Sequence, residues 1–411
     1  MDKHANSSDS RPLSVILHDL TGWDRQLSFQ ANTDIARRER KYMLQALGSP
    51  TQVQKYADLI QFEARKFLLQ LLETPSGFIS HIRKNVGSII LKITYGYNAE
   101  PRGPDPLIAL SELSIQHVLP VTSQGAWAIE ILPIKPLCGP LRLCMLLGQT
   151  RCVALVLLHQ PPHQCAIFIV ALVHLLTRAD WKDEYEKTGV AIQTFFLAMV
   201  TNFEVQQKAQ AEIDEVVGHG RLPMAEDLEN LPFVRAVIAE VLRWHPVAPL
   251  GISHRVTKDI PYQGFVIPEG AILIPNIWAM AHDPDVYRDP LLFDPTRFLD
   301  AKYGEGGHSA ISAPPDPRSY VFGFGRRMCP GRFLAEATLS LAIMQVLACY
   351  TIRKPWRDGM EVEVVPCFLP GLVSAPDSFE LTITPRHDTV ESLVRAVEVD
   401  DPWASGDSKE L

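Results

Sequence analysis

The chain is poor in the features that staple small folds or anchor proteins in membranes. It has 7 cysteines in 411 residues. No two of them form a Cys-x-x-Cys pair, which argues against a structural zinc site and against a disulfide scaffold. A reducing compartment, or the cytosolic face of a membrane, fits best. Positive charge is in deficit: 39 Lys and Arg face 47 Asp and Glu, for a net charge of −8. That balance argues against a nucleic-acid partner. No apolar run is long enough to span a bilayer. The run over 165–176 is about 12 residues, short of the ~20 needed, and Pro161-Pro162 breaks it from the apolar run over 153–158. The opening residues Met1 to Ser8 are polar and carry no signal-peptide core. There is no internal repeat. Between Pro133 and Arg178 the sequence has no Asp or Glu, although four of the cysteines (Cys138, Cys144, Cys152, Cys165) lie there.

What is present is enough to build a large core. The chain is 46% hydrophobic and 21% charged, which suits one big domain or two. Helical periodicity is found over 54–72, near 192–200, and over 204–217, 233–244 and 332–349. Asn202 is a plausible N-cap for the third of these and Gly218 its stop. Strand patterns occupy 270–275 and 379–384. The residues after Pro385 are acidic (Glu398, Asp400, Asp401, Asp407, Glu410), and this tail is expected to fray. The fold class is therefore mainly α with minor β.

One cysteine stands in an unusual setting. The stretch Phe322-Gly323-Phe324-Gly325-Arg326-Arg327-Met328-Cys329-Pro330-Gly331 places Cys329 just ahead of an apolar helical pattern. A thiolate there is favoured by the helix N-terminus. Gly325 and Gly331 let the backbone approach something large and flat. Phe322 can shield the sulfur, and Arg327 can meet a carboxylate with two parallel hydrogen bonds. Those are the needs of a haem iron held by cysteine. The plain alternative is a buried structural cysteine.

The spacing Phe-x-x-Gly-x-Arg-x-Cys-x-Gly resembles the haem signature of the cytochrome P450 superfamily. Glu240-Val241-Leu242-Arg243 is similar to the family's Glu-x-x-Arg helix. Phe293-Asp294-Pro295-Thr296-Arg297-Phe298 supplies the second arginine that the family pairs with that glutamate. The resemblance implies that Glu240, Arg243 and Arg297 are structural and brace the cysteine loop. It also implies that Arg40 and a residue at His254 or Arg255 reach haem propionates. Ala36 stands where the family has a tryptophan. The flavour is that of fungal secondary-metabolism enzymes of the O-methylsterigmatocystin oxidoreductase type. By resemblance the cofactor is haem b, iron protoporphyrin IX, with Cys329 as axial ligand to the metal. The implied activity is that of a haem-thiolate monooxygenase, an oxidoreductase that inserts one atom of O2 into a small apolar substrate. The implied electron donor is an NADPH-dependent cytochrome reductase docking near Arg326, Arg327 and Arg332. Relatives sit on the endoplasmic reticulum membrane by a helix this chain lacks, so the expectation is a peripheral membrane contact or a cytoplasmic protein.

Three departures qualify the resemblance. The membrane anchor and part of the N-terminal sheet region are expected to be missing. The oxygen-activating helix is altered: alignment without gaps puts Glu186 on the acid position, Lys187 on the first threonine and Thr188 on the second, so Glu186 and Thr188 are the catalytic candidates for a proton relay. The segment over 133–178 lacks the family's charges and reads either as a hairpin of short helices or as an anomalous gene product, such as intron read-through; confinement of the departures to discrete stretches favours the second. The resulting division is a helical N-terminal part over 1–132, a divergent apolar segment over 133–182, a haem-binding core over 183–386 with a Gly/Pro-rich loop over 304–318, and an acidic tail over 387–411. Two alternatives remain: a catalytically impaired haem-binding remnant, and a haem-thiolate rearrangement or dehydration enzyme that needs no oxygen relay.

Overall fold

A computed structural model of the protein describes residues 2–12, 26–111, 181–299, 314–400 and 406–410. The segment over 133–178 and most of the loop over 304–318 lie outside the described residues.

Two apolar helices form the centre. Helix α4 (Trp181–Thr201) is continuously buried from Val190 to Val200. Helix α8 (Arg332–Cys349) buries Leu334, Leu339, Leu341, Ile343, Met344, Val346 and Leu347. A helix apolar on every face belongs in the interior. Length and composition would let α8 cross a membrane, but it is mostly buried within the fold. Around this pair pack α2 (Ala57–Glu73), α3 (Phe78–Tyr95), α5 (Phe203–Val216) and α6 (Pro232–Trp244). Phe67, Phe78, Phe195, Phe196 and Phe379 lock the α2, α3 and α4 faces through edge-on and tilted ring contacts.

The joints are polar and specific. Helix α6 starts at Pro232, where no backbone N–H is needed. The Glu212 carboxylate of α5 accepts from the Phe233 and Val234 N–H groups at 2.8 and 2.9 Å, which satisfies the free donors at that helix start. Buried Gln206 and Gln210 of α5 exchange hydrogen bonds with strand β5 (Tyr350–Arg353), at 2.7–2.9 Å. Strand β5 pairs antiparallel with β8 (Thr382–Pro385). Small antiparallel pairs complete the fold: β1 (His254–Arg255) with β4 (Ile272–Leu273), β2 (Ile260–Tyr262) with β3 (Phe265–Ile267), and β6 (Trp356–Arg357) with β7 (Met360–Glu361).

Both ends of the chain pack onto the fold, the acidic tail against expectation. Ser7 to Arg11 is buried, and it runs beside β1 through Arg255 N–H to Ser10 O (2.9 Å) and Thr257 N–H to Ser7 O (2.8 Å). The tail expected to fray forms helix α9 (Thr389–Asp400), which buries Val390, Val394 and Val397 against α2. Spacings of four and three residues put those valines on one stripe, and burial of that stripe outweighs the acidic composition. The two strands expected over 270–275 and 379–384 are shorter or shifted, at β4 and β8. The helix expected near 192–200 extends back to Trp181.

Candidate functional site

Helix α8 begins immediately after the cysteine loop, with Gly331 at its N-cap. The loop itself is a 3-10 turn over Gly325–Arg327, made possible by Gly323 and Gly325 at φ of +81° and +57°. The Cys329 N–H donates to the Phe322 carbonyl at 2.8 Å and closes the loop. Cys329 is thus pinned two residues ahead of the N-cap of an 18-residue helix.

Above the loop lies a cavity that opens to the surface. Its walls come from both halves of the described chain. Leu242, Val247, Ile252, Ile277 and Leu339 make it apolar, Thr188 and Ala191 reach it from α4, and Cys329, Phe322 and Phe324 reach it from the loop. Arg11, Arg40, Arg327 and His254 also line it. Arg11 Nη1 donates to the Ile252 and Ser253 carbonyls, each at 2.9 Å. Arg327 donates to the carbonyls of Asp9 (2.7 Å) and Gln30 (3.1 Å). Arg40, on α1 (Asp34–Leu47), donates to the Met328 carbonyl within the cysteine loop. His254 Nδ1 is 2.6 Å from the Ser8 carbonyl.

Among the described residues the one carboxylate in the cavity lining, Glu336, faces Arg318 at 3.4 Å. Burial, with Arg327 and Arg40 close by, pushes Arg11 down to about 9. Its Nε is buried with no hydrogen-bond partner. Burial and the neighbouring arginines likewise push His254 down to about 4. An apolar cavity with a thiol on one wall, buried Arg11 and half-buried Arg40 and Arg327 fits a flat apolar ligand carrying carboxylates. Haem, with its two propionates and a metal that takes sulfur, is such a ligand. Substitution of Arg11 by leucine should weaken haem retention about 10-fold or more, the worth of a charge-assisted hydrogen bond. The apoprotein should lose little stability, because an incompletely satisfied buried charge goes with it. Haem transfer to apomyoglobin, together with urea unfolding of the apoprotein, checks both halves.

Other expected site residues fall in different places. Arg255 is not in the cavity lining; adjacent residues of a strand point to opposite faces, and its neighbour His254 takes the inner one. Gly325 and Gly331 shape the loop without lining the cavity. Thr188 is buried at the wall, with Lys187 beside it in the lining. The side chain of Glu186 lies outside the described residues. Arg11 was not anticipated: it sits in no motif, and its partners are more than 240 residues away.

Glu240, Arg243 and Arg297 meet away from the cavity. Glu240 and Arg243 are fully buried, with the carboxylate gripped at 2.7 Å by both Nε and Nη2. Arg297 Nε and the Asp294 N–H add bonds of 3.2 and 2.8 Å. Arg243 also donates to the Ala281, Pro290 and Leu292 carbonyls. Its guanidinium lies 5.2 Å from the Tyr287 ring centroid, and the Tyr287 hydroxyl is 2.9 Å from that of Tyr320. Tyr320 stands at the entry to the cysteine loop. The triad therefore joins α6 to that loop through one tyrosine pair.

A second buried histidine adds a pH dependence. His245 stacks on Phe368 (3.4 Å between centroids), and its Nε2 is 2.9 Å from Ser374 Oγ. Burial pushes its pKa down to about 4 from the ordinary 6.5. Between those values the unfolded chain binds the extra proton, so this contribution is intact above about pH 6.5 and is lost as pH falls towards 4. That difference is worth about 3 kcal/mol. Urea midpoints should fall between pH 7 and pH 5, and the fall should shrink in His245→Phe.

The cytochrome P450 family profile matches residues 185–382. Cytochrome P450 monooxygenase ppsD of Aspergillus oryzae is 37% identical across 100% of this chain and 82% of its own length. The O-methylsterigmatocystin oxidoreductase of Aspergillus flavus is 33% identical across 100% and 81%. Cytochrome P450 monooxygenase claR of Ampulloclitocybe clavipes is 34% identical across 97% and 78%.

Proposed function

This chain belongs to the cytochrome P450 family of monooxygenases, oxidoreductases whose cofactor is haem held by a cysteine thiolate, and from that premise we propose that Cys329 is the thiolate and that the substrate is a small apolar molecule of secondary metabolism. The observation that carries this reading is the cavity itself, with a thiol on its floor and Arg11, Arg40 and Arg327 on its wall. When bound, the haem supplies the activation of dioxygen and the insertion of one of its atoms into substrate. The protein's part is to hold and to exclude. Cys329 sits at a helix N-terminus that favours the anionic sulfur. Arg11, Arg40 and Arg327 would hold the propionates, and His254 would join them once a nearby propionate keeps its second ring nitrogen protonated. Leu242, Val247, Ile252 and Ile277 keep water from the apolar side and favour an apolar substrate. Thr188 would hold a proton-bearing hydroxyl at the cavity wall, with Glu186, two residues earlier on α4, as the acid that supplies its proton through water.

Electrons would come from NADPH through a cytochrome reductase. The surface beside the cysteine loop suits it: Arg326 is mostly exposed, and Arg37 and Lys41 of α1 share a surface hollow with it. A membrane contact remains part of the proposal, since the family is often bound to the endoplasmic reticulum.

One observation favours a second reading. Lys187 lines the cavity beside Thr188, where the resemblance expects a threonine. A haem-thiolate protein without oxygen turnover, or one that rearranges or dehydrates its substrate, would tolerate that lysine. Haem-loaded protein supplied with NADPH, a reductase and a panel of apolar aromatics separates the readings. The monooxygenase reading expects hydroxylated product, with product per NADPH falling about 10-fold or more in Thr188→Val. A thiolate-type spectrum with no oxygenated product and no dependence on Thr188 would favour the second reading.

A further inference from the structure

Away from the haem cavity, two imidazoles and a carboxylate converge at the end of α5. Asp214 lies in the last turn of that helix. Gly218, at φ +76°, turns the chain so that His219 returns over Asp214, with Nδ1 3.6 Å from Oδ1. His387 arrives from the link between β8 and α9. Its ring stands at 60° to that of His219, with centroids 4.1 Å apart. One ligand atom from each of the three side chains lies within 4.8 Å of the other two. Arg386 grips the Asp214 carboxylate through both Nη atoms (3.0 and 2.6 Å), which fixes its orientation and leaves lone pairs on each oxygen. The Nε2 atom of His387 is buried and has no hydrogen-bond partner among the described residues. A buried ring nitrogen left unsatisfied is costly, and a ligand that engages it would remove that cost.

We propose that Asp214, His219 and His387 form a zinc-binding site separate from the haem. Two imidazoles and one carboxylate, with a fourth position open to water, suit Zn2+. Hard cations such as Mg2+ and Ca2+ prefer all-oxygen sites. Ligand atoms of a tetrahedral site with bonds of about 2.0 Å stand about 3.3 Å apart. The three side chains must close by at most about 1.5 Å from separations within 4.8 Å, and His219 is half-exposed. The bound ion would clamp the end of α5 to the β8–α9 link. The charge of Arg386 beside the carboxylate sets the affinity below that of a closed structural zinc site.

The test is a titration of the haem-loaded full chain with zinc chloride, in competition with a chromophoric chelator. One zinc equivalent is expected, weakened at least tenfold in His219→Ala and in His387→Ala, with the haem absorption of both variants unchanged. Excess Mg2+ should not displace it. If no such equivalent exists, or if it survives both substitutions, the proposal is overturned. Should either variant lose its haem, zinc-edge X-ray absorption of the wild-type protein decides: two imidazole nitrogens support the site, and a sulfur ligand overturns it.

Discussion

Glu240→Ala should destabilise the protein by about 3–5 kcal/mol, the cost of breaking a buried ion pair from one side. The size follows from what the carboxylate leaves behind. Arg243 is fully buried, and the Arg297 side chain is only 9% exposed. Without Glu240 neither guanidinium has a counter-charge among the described residues. The Asp294 N–H also loses its acceptor. Glu240→Gln keeps the shape but not the charge, and should recover only part of the loss. Arg243→Lys should behave almost as badly as the alanine variant, because one ammonium cannot serve the carboxylate and three carbonyls at once. The exposed pair Arg221–Asp227 is a built-in control: it is bidentate at 2.6 and 2.7 Å, yet Arg221→Ala should cost no more than about 1 kcal/mol. Urea unfolding of the variants measures each value. The rate of haem release tests the route to the cysteine loop. Glu240→Ala should release haem faster than Arg221→Ala under folding conditions, because the Tyr287–Tyr320 contact transmits the slack.

Cys329→Ala should abolish the thiolate-type absorption of the reduced, carbon-monoxide-bound protein while leaving the apoprotein nearly as stable as before. The two outcomes follow from different atoms. The backbone N–H of Cys329 closes the loop onto Phe322 and survives the substitution. The side chain is only partly buried, so little packing is lost. The sulfur alone is removed, and with it the electron donation that a thiolate gives the iron. A variant that kept the absorption would show that another group ligates the metal. Cys349 is a poor substitute, since burial pushes its thiol up to about 12 and keeps it protonated.

The cysteine loop and the Glu240 triad were legible because motifs of fixed spacing carry them. Loop glycines, a helix start and an i,i+3 pair are local, so the sequence displays them directly. Arg11 was not legible: its role arises only when the opening residues fold back along β1, and nothing in the spacing of Ser7 to Arg11 signals that partner. His254 and Arg255 looked equivalent in sequence because strand position, not residue type, decides which one faces the cavity. The α9 stripe of Val390, Val394 and Val397 was visible in principle, but acidic neighbours obscured it. Position 36 shows the converse. Ala36 is buried with Leu27 and Met43, so the small residue is packed into the protein rather than left as a gap at the surface.

Iron-edge X-ray absorption of the haem-loaded protein, wild type beside Cys329→Ala, tests the central assignment most directly. One sulfur bonded to iron in the wild type, and none in the variant, is the predicted result. Iron ligated only by nitrogen and oxygen in the wild type, or sulfur ligation that persists in the variant, would contradict it.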